Sequence, residues 1–176
     1  MIHVAPGTAP APGPEWLGAT PFLDADHPRI RAFAEEATRG ASDDVERAVK
    51  LFYAVRDRWR YDPFSIRLPR EHYVASLIHD SKAAYCIPKA VLLAAAARAV
   101  GIPAGIGLSD VVNHLTTEKL KARMGGNTLF VDHGYAVLHL DGRWVKAAPA
   151  FNIELCERFH VKPTEFDGRE DAAEVE

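Results

Sequence analysis

The run Tyr85-Cys86-Ile87-Pro88-Lys89-Ala90 opens YCIPKAVLLAAAARAVGIPA, residues 85–104, and the reading of this stretch decides the fold. It is rich in alanine and carries charge only at Lys89 and Arg98, which predicts a long, buried helix. Gly101 ends the helix, and Ile102-Pro103 turns the chain into a further apolar segment. Cys86 stands in the first turn. Backbone N–H groups there lack intrahelical acceptors and the helix dipole is positive, so both favour a thiolate over a thiol.

Outward from this helix, the N-terminal side reads as helical. A helix is expected from Pro28 to about Thr38, with Asp26 as cap, Pro28 in the first turn and Gly40 as its end. A longer one runs from Asp43 to about Trp59, capped by Ser42, with Val45, Val49, Phe52, Val55 and Trp59 on one face. A short helix fits Glu71 to Asp80. On the C-terminal side, Ala104 to Val112 reads as a strand and Thr116 to Arg123 as a short exposed helix. The last third is β: Thr128 to Val131 is apolar, His133 to Leu140 alternates, Asp141-Gly142 signals a hairpin, and Arg143 to Ala147 returns. Asn152 is placed to cap a helix over 153–159. Helices first and strands afterwards indicate an α+β fold.

Residues 1–20 contain the proline-rich stretch APGTAPAPGP and are expected to be extended or disordered, with Trp16, Leu17, Phe22 and Leu23 tying the chain to the domain surface. Residues 21–165 form one domain, and 166–176 read as a polar C-terminal tail. Composition narrows the function classes. A hydrophobic fraction of 48% and a charged fraction of 26% suit an ordinary water-soluble domain. A net charge of −3 with no basic run argues against nucleic acid. No apolar stretch is long enough for a membrane helix, and the N-terminus lacks the pattern of a secretory leader. Two cysteines, Cys86 and Cys156, make no disulfide framework and suit a reducing cytoplasm; neither has zinc-site spacing, so no metal or cofactor is expected.

The chemistry gathers on Cys86 and one histidine. Alternation along the strand puts His133, Tyr135, Val137 and His139 on one face, and Gly134, Ala136, Leu138 and Leu140 on the other. If the central helix crosses the first face, His133 meets Cys86 as a thiolate–imidazolium pair, with the Cys86 N–H as oxyanion donor. His139 shares the face but lies about 20 Å along the strand and reads as structural. Tyr85, Trp59 and Tyr61 are candidates to line a substrate groove, or else core residues. Lys89 is either a cation favouring the thiolate or a solvated residue, and Cys156 reads as packing.

Taken together these residues resemble the transglutaminase-like superfamily of papain-type cysteine enzymes. The resemblance rests on Cys86 opening a helix that runs into Arg98-Ala99-Val100-Gly101-Ile102-Pro103-Ala104, then on His133, the hairpin Asp141-Gly142-Arg143-Trp144-Val145, and Pro149. Trp59-Arg60-Tyr61 and Ala75-Ser76-Leu77 are similar to the family's lead-in, and the likeness spans about residues 45–150. It implies a papain-like architecture, with N-terminal helices and the nucleophile-bearing helix packed on a C-terminal antiparallel sheet. It also implies a cysteine-dependent acyl-transfer enzyme (peptidase, amidase or transamidase) acting on a peptide or protein amide. The family's histidine-orienting aspartate belongs just before Pro149, where this chain has Ala148. Asn152 is the best local substitute, as papain-like enzymes use an asparagine in that role; Asp132 adjoins His133 but should point to the opposite face. The alternative is a non-catalytic module of the same fold that binds peptides or partners. A relative of the arylamine acetyltransferases is a third reading, supported by no further motif.

Overall fold

The computed structural model describes residues 12–66, 69–112 and 129–172. The helix expected over 116–123 lies outside them. In chain order the elements are helices α1 (Pro28–Ala37) and α2 (Asp44–Arg58), strand β1 (Arg60–Tyr61), helix α3 (Ala75–His79), strand β2 (Ala83–Ala84), helix α4 (Cys86–Ala99), strands β3 (Ala104–Val112), β4 (Leu129–Leu140) and β5 (Arg143–Ala147), and helix α5 (Ile153–Phe159). Short 3-10 turns precede α1 and α3, at Pro14–Trp16 and Arg70–Tyr73.

The caps fall one residue from where the sequence suggests them. His27, not Asp26, caps α1, its Nδ1 accepting the Arg29 N–H at 3.2 Å. Asp43 caps α2 by accepting the Glu46 N–H at 2.8 Å, while Glu46 reaches back to the Ser42 N–H and hydroxyl. Ser42 thus serves the reciprocal half of a capping box. The core stripe of α2 is Ala48, Leu51, Phe52 and Val55, with Val45 and Val49 half-buried beside it.

Helix α4 is the centre of the molecule. From Pro88 to Arg98 it is buried on every side, with α1, α2 and α3 against it on one flank and β3 and β4 on the other. It ends in a Schellman motif: Gly101 adopts φ +85°, its N–H reaches the Arg98 carbonyl, and the Ile102 N–H reaches that of Ala97. Strands β3, β4 and β5 follow as an antiparallel sheet in chain order. Asp141 and Gly142 both take positive φ, the pairing a type I′ hairpin turn requires.

Helix α4 does not cross the face of β4 that bears His133, Tyr135, Val137 and His139. It packs on the opposite one, where Ala136, Leu138 and Leu140 join its core cluster and Gly134 touches it. That face has small and aliphatic side chains that a close-packed helix can approach, whereas tyrosine and histidine line the other. The His133 face instead receives the N-terminal segment: Trp16 packs on Trp144 with ring centroids 4.6 Å apart and lies over Gly105. His139 rests against Trp144 as a structural residue.

The C-terminal segment is docked, in contrast to the polar tail expected from composition. Phe166 is buried in the core against Phe52, Gly168 lies against Val45 and Val49, and Ala172 pairs alongside Ala147. The Ala172 N–H donates to Lys146 and its carbonyl accepts from Ala148, which covers part of the β5 edge. One aromatic residue at the right distance from α2 outweighs the acidic composition around it.

Candidate active site

Cys86 is the first residue of α4, and the N-cap residue Tyr85 makes no side-chain cap to the helix end. The parallel pair β1–β2, which couples Arg60 to Ala83 and Tyr61 to Ala84, delivers the chain to this point. Around Cys86 lies a second apolar cluster of Tyr61, Tyr85, Ala150, Phe151 and Cys156, with Tyr73 and Ile87 at its border. Both cysteines are buried free thiols.

His133 approaches from β4. The strand carries a bulge: Ser109 pairs with His133 and Val111 with Phe130, so Asp110 faces both Val131 and Asp132. Asp132 takes φ +58°, and its N–H donates to the Asp110 carboxylate. Beyond the bulge the register runs one-to-one from Ser109–His133 to Ala104–Leu138, so the alternation assumed from sequence holds there, and His133 and Gly134 are both buried. An added Cβ on Gly134 would stand 2.7 Å from the Ile87 Cα, so β4 and the start of α4 are in backbone contact. Chain geometry then holds the Cα atoms of Cys86 and His133 within about 12 Å of each other, despite helix and strand meeting on the unexpected face.

Burial pushes the His133 pKa from 6.5 down to about 4, so at neutral pH its imidazole is neutral. The unfolded chain therefore binds the extra proton first. Stability from this residue is present above about pH 6.5 and is lost as the pH falls toward about 4. The loss amounts to at most about 3 kcal/mol. Urea unfolding at about pH 7.5 and about pH 4.5 should show it, and His133→Gln should flatten that part of the profile.

Asn152 is buried, and its Oδ1 accepts the Tyr61 N–H at 2.9 Å. It occupies the N-cap position of α5 without making the cap; Asp57 does so, accepting the Ile153 N–H at 2.9 Å. The Asn152 oxygen, the atom an imidazole N–H would use, is thus engaged in tying β1 to the segment after β5. Ala148 is fully buried and donates its N–H to Ala172.

The three candidate groove residues separate. Tyr61 and Tyr85 belong to the Cys86 cluster: Tyr61 packs edge-on against Phe151, and the Tyr85 hydroxyl is 2.7 Å from that of Tyr73. Burial, reinforced by Tyr73, pushes the Tyr85 pKa far above the usual tyrosine range. Trp59 is not a groove residue. Its ring sits in the main core against Phe33 and His79 at 2% exposure, because the last turn of α2 carries it inward. Sequence reasoning did not anticipate Tyr73 or Asp57. Tyr73, in a 3-10 turn, bonds Tyr85 12 residues on, and Asp57, at a helix end, bonds Ile153 96 residues on, spacings that leave no periodic signal. Among the described residues no group of His, Cys, Asp or Glu has a metal-binding arrangement.

A model of the transglutaminase-like superfamily matches residues 31–149, and the chain belongs to this superfamily, which includes cysteine-dependent acyltransferases and proteases. Two solved structures share its fold. One is a proposed cysteine protease from Cytophaga hutchinsonii, with TM-score 0.60 and 15% identity over 77% of this chain and 40% of that one. The other is the periplasmic domain of TgpA from Pseudomonas aeruginosa bound to ethylmercury, with TM-score 0.50 and 20% identity over 75% of this chain and 46% of that one. The matched region is thus less than half of either relative's length. No curated protein matches. Among the described residues, no helix is long and apolar enough to cross a membrane.

Proposed function

We propose that the protein is a cysteine-dependent acyl-transfer enzyme acting on peptide or protein amides, with Cys86 as nucleophile and His133 as its base. The observation that supports this reading is the contact between Gly134 and Ile87, which keeps the Cα atoms of the residues just before them, His133 and Cys86, within about 12 Å of each other. A neutral buried imidazole is in the form that accepts a proton. It takes the thiol proton as sulfur attacks the amide carbon, and the oxyanion forms toward the N-terminal N–H groups of α4. The imidazolium then protonates the departing amine, leaving an acyl thioester on Cys86. Water resolves the thioester in a peptidase or amidase, and a second amine does so in a transamidase. Tyr85 and Tyr61 border the nucleophile and contact the acyl group. Asn152 holds β1 in place beside them. Buried free thiols suit a reducing compartment, and the cytoplasm is the location we assign.

The second reading, a non-catalytic peptide-binding module, is favoured by Ala148 at the position of the orienting acid. Alkylation separates the two. Iodoacetamide at neutral pH should modify Cys86 far faster than Cys156, as read by peptide mass spectrometry. Since both thiols are buried, equal and slow modification would leave only the module.

A further inference from the structure

Lys89 is neither solvated nor at the surface: it is 0% exposed. Its ammonium donates to the carbonyls of Arg56 at 2.7 Å, Trp59 at 2.9 Å and Ala150 at 2.7 Å. Two of these acceptors belong to the end of α2, where a helix leaves carbonyls unsatisfied and its dipole welcomes a cation. The third lies in the Cys86 cluster. In its own helix the charge is at the unfavourable end. Lys89 is the fourth residue of α4, and helical side chains lean toward the N-terminus, so the ammonium lies over the turn that begins with Cys86. Core packing does not call for a buried cation there, and an aliphatic side chain would fill the space without the desolvation cost.

Among the described residues, the other titratable groups in the apolar cluster around Cys86 are Tyr61, Tyr73, Tyr85 and Cys156, with His133 across the Gly134 contact. None of the first four is cationic in either protonation state, and His133 is neutral near pH 7. On the far side of Lys89, Asp57 holds Arg56 through both carboxylate oxygens. Burial opposes the Asp57 charge, yet hydrogen bonds from Arg56 and Ile153 and the charges of Arg56 and Lys89 keep its pKa below the ordinary value.

We propose that Lys89 is a positioning residue for Cys86: its buried ammonium clamps the first turn of α4 to the end of α2 and to residue 150, and its fixed charge favours the thiolate. The proposal rests on Cys86 being the nucleophile. A unit charge about 8–10 Å away in a protein interior moves an ionisation by about one pH unit.

The test is the pH dependence of Cys86 alkylation by iodoacetamide in the wild type, Lys89→Met and Asp57→Asn, with circular dichroism to report folding and Cys156 as the internal control. Lys89→Met should raise the midpoint by about one pH unit and slow labelling at pH 7 about tenfold. Asp57→Asn removes a negative charge from the same cluster while keeping an oxygen for the Ile153 N–H, and should lower the midpoint. Packing alone would move stability in both variants and the midpoint in neither. A folded Lys89→Met protein with the wild-type midpoint, or variants shifting in the same direction, would overturn the proposal. If Lys89→Met does not fold, Asp57→Asn decides: a lowered midpoint supports the proposal and an unchanged one rejects it. Wild-type labelling of Cys86 no faster than Cys156 at any pH would sink the nucleophile assignment and this proposal together. Fast labelling indifferent to both variants sinks this proposal alone.

Discussion

Cys86→Ala should abolish covalent capture of electrophilic peptides at the site, and His133→Ala should slow it by about 100- to 10,000-fold near neutral pH. The two losses differ in kind. Removing the sulfur removes the atom that bonds the acyl carbon, whereas removing the imidazole leaves the sulfur to lose its proton to solvent. The His133→Ala deficit should therefore shrink as the pH rises through the thiol range, while Cys86→Ala stays inactive at every pH. Neither change should unfold the domain: Cys86 lies in the smaller apolar cluster, outside the main core around α4. Single-turnover labelling followed by mass spectrometry over a pH series reads both. Retained labelling at Cys86 with an unaltered pH profile in His133→Ala would remove the histidine from the mechanism.

Gly134→Ala should disable the site from a residue that touches no substrate. The new methyl carbon would stand 2.7 Å from the Ile87 Cα and 3.0 Å from its backbone nitrogen, separations that force a backbone to move. Flexible side-chain ends give way at little cost, but here the obstacle is the first turn of the helix. Overpacking of this kind costs about 1–3 kcal/mol. Relief comes by lifting α4 from β4, which separates Cys86 from His133. We expect urea unfolding to show the destabilisation, and Cys86 labelling in the folded fraction to fall by at least about tenfold. A Gly134→Ala protein with wild-type stability and labelling would show that the contact does not set the geometry of the pair.

Much of this was legible along the chain. The 14 residues of α4 carry so little charge that only a buried helix accommodates them, and Gly101 ends it because glycine takes the left-handed cap conformation without steric cost. The Asp141-Gly142 hairpin and the limits of β5 and α5 followed from turn chemistry and local pattern. What failed did so where a distant partner decided the outcome. Phe166 looked like part of a polar tail until the surface of α2 was there to receive it. The Asp132 bulge has no sequence signature: aspartate is one of the residues that tolerate a left-handed conformation, and here Asp110, 22 residues earlier, accepts its N–H. The period-two rule put His133 on the face expected to meet α4, whereas α4 packs on the opposite face and touches the strand at Gly134.

From the sequence alone come the family, the class of fold, and a cysteine that opens the central helix. These depend on residue types at short spacings, where the backbone's own periodicities dictate position. Only the tertiary structure decided which face of β4 meets the helix, that Trp59 belongs to the core, and that Asn152 binds a strand backbone. It also settled the place of Lys89. A lysine one turn past a cysteine reads from sequence as exposed or helpful with equal ease. Three carbonyls from segments about 30 and about 60 residues away make it a buried clamp, because only a folded chain can bring enough acceptors together to satisfy an ammonium out of water.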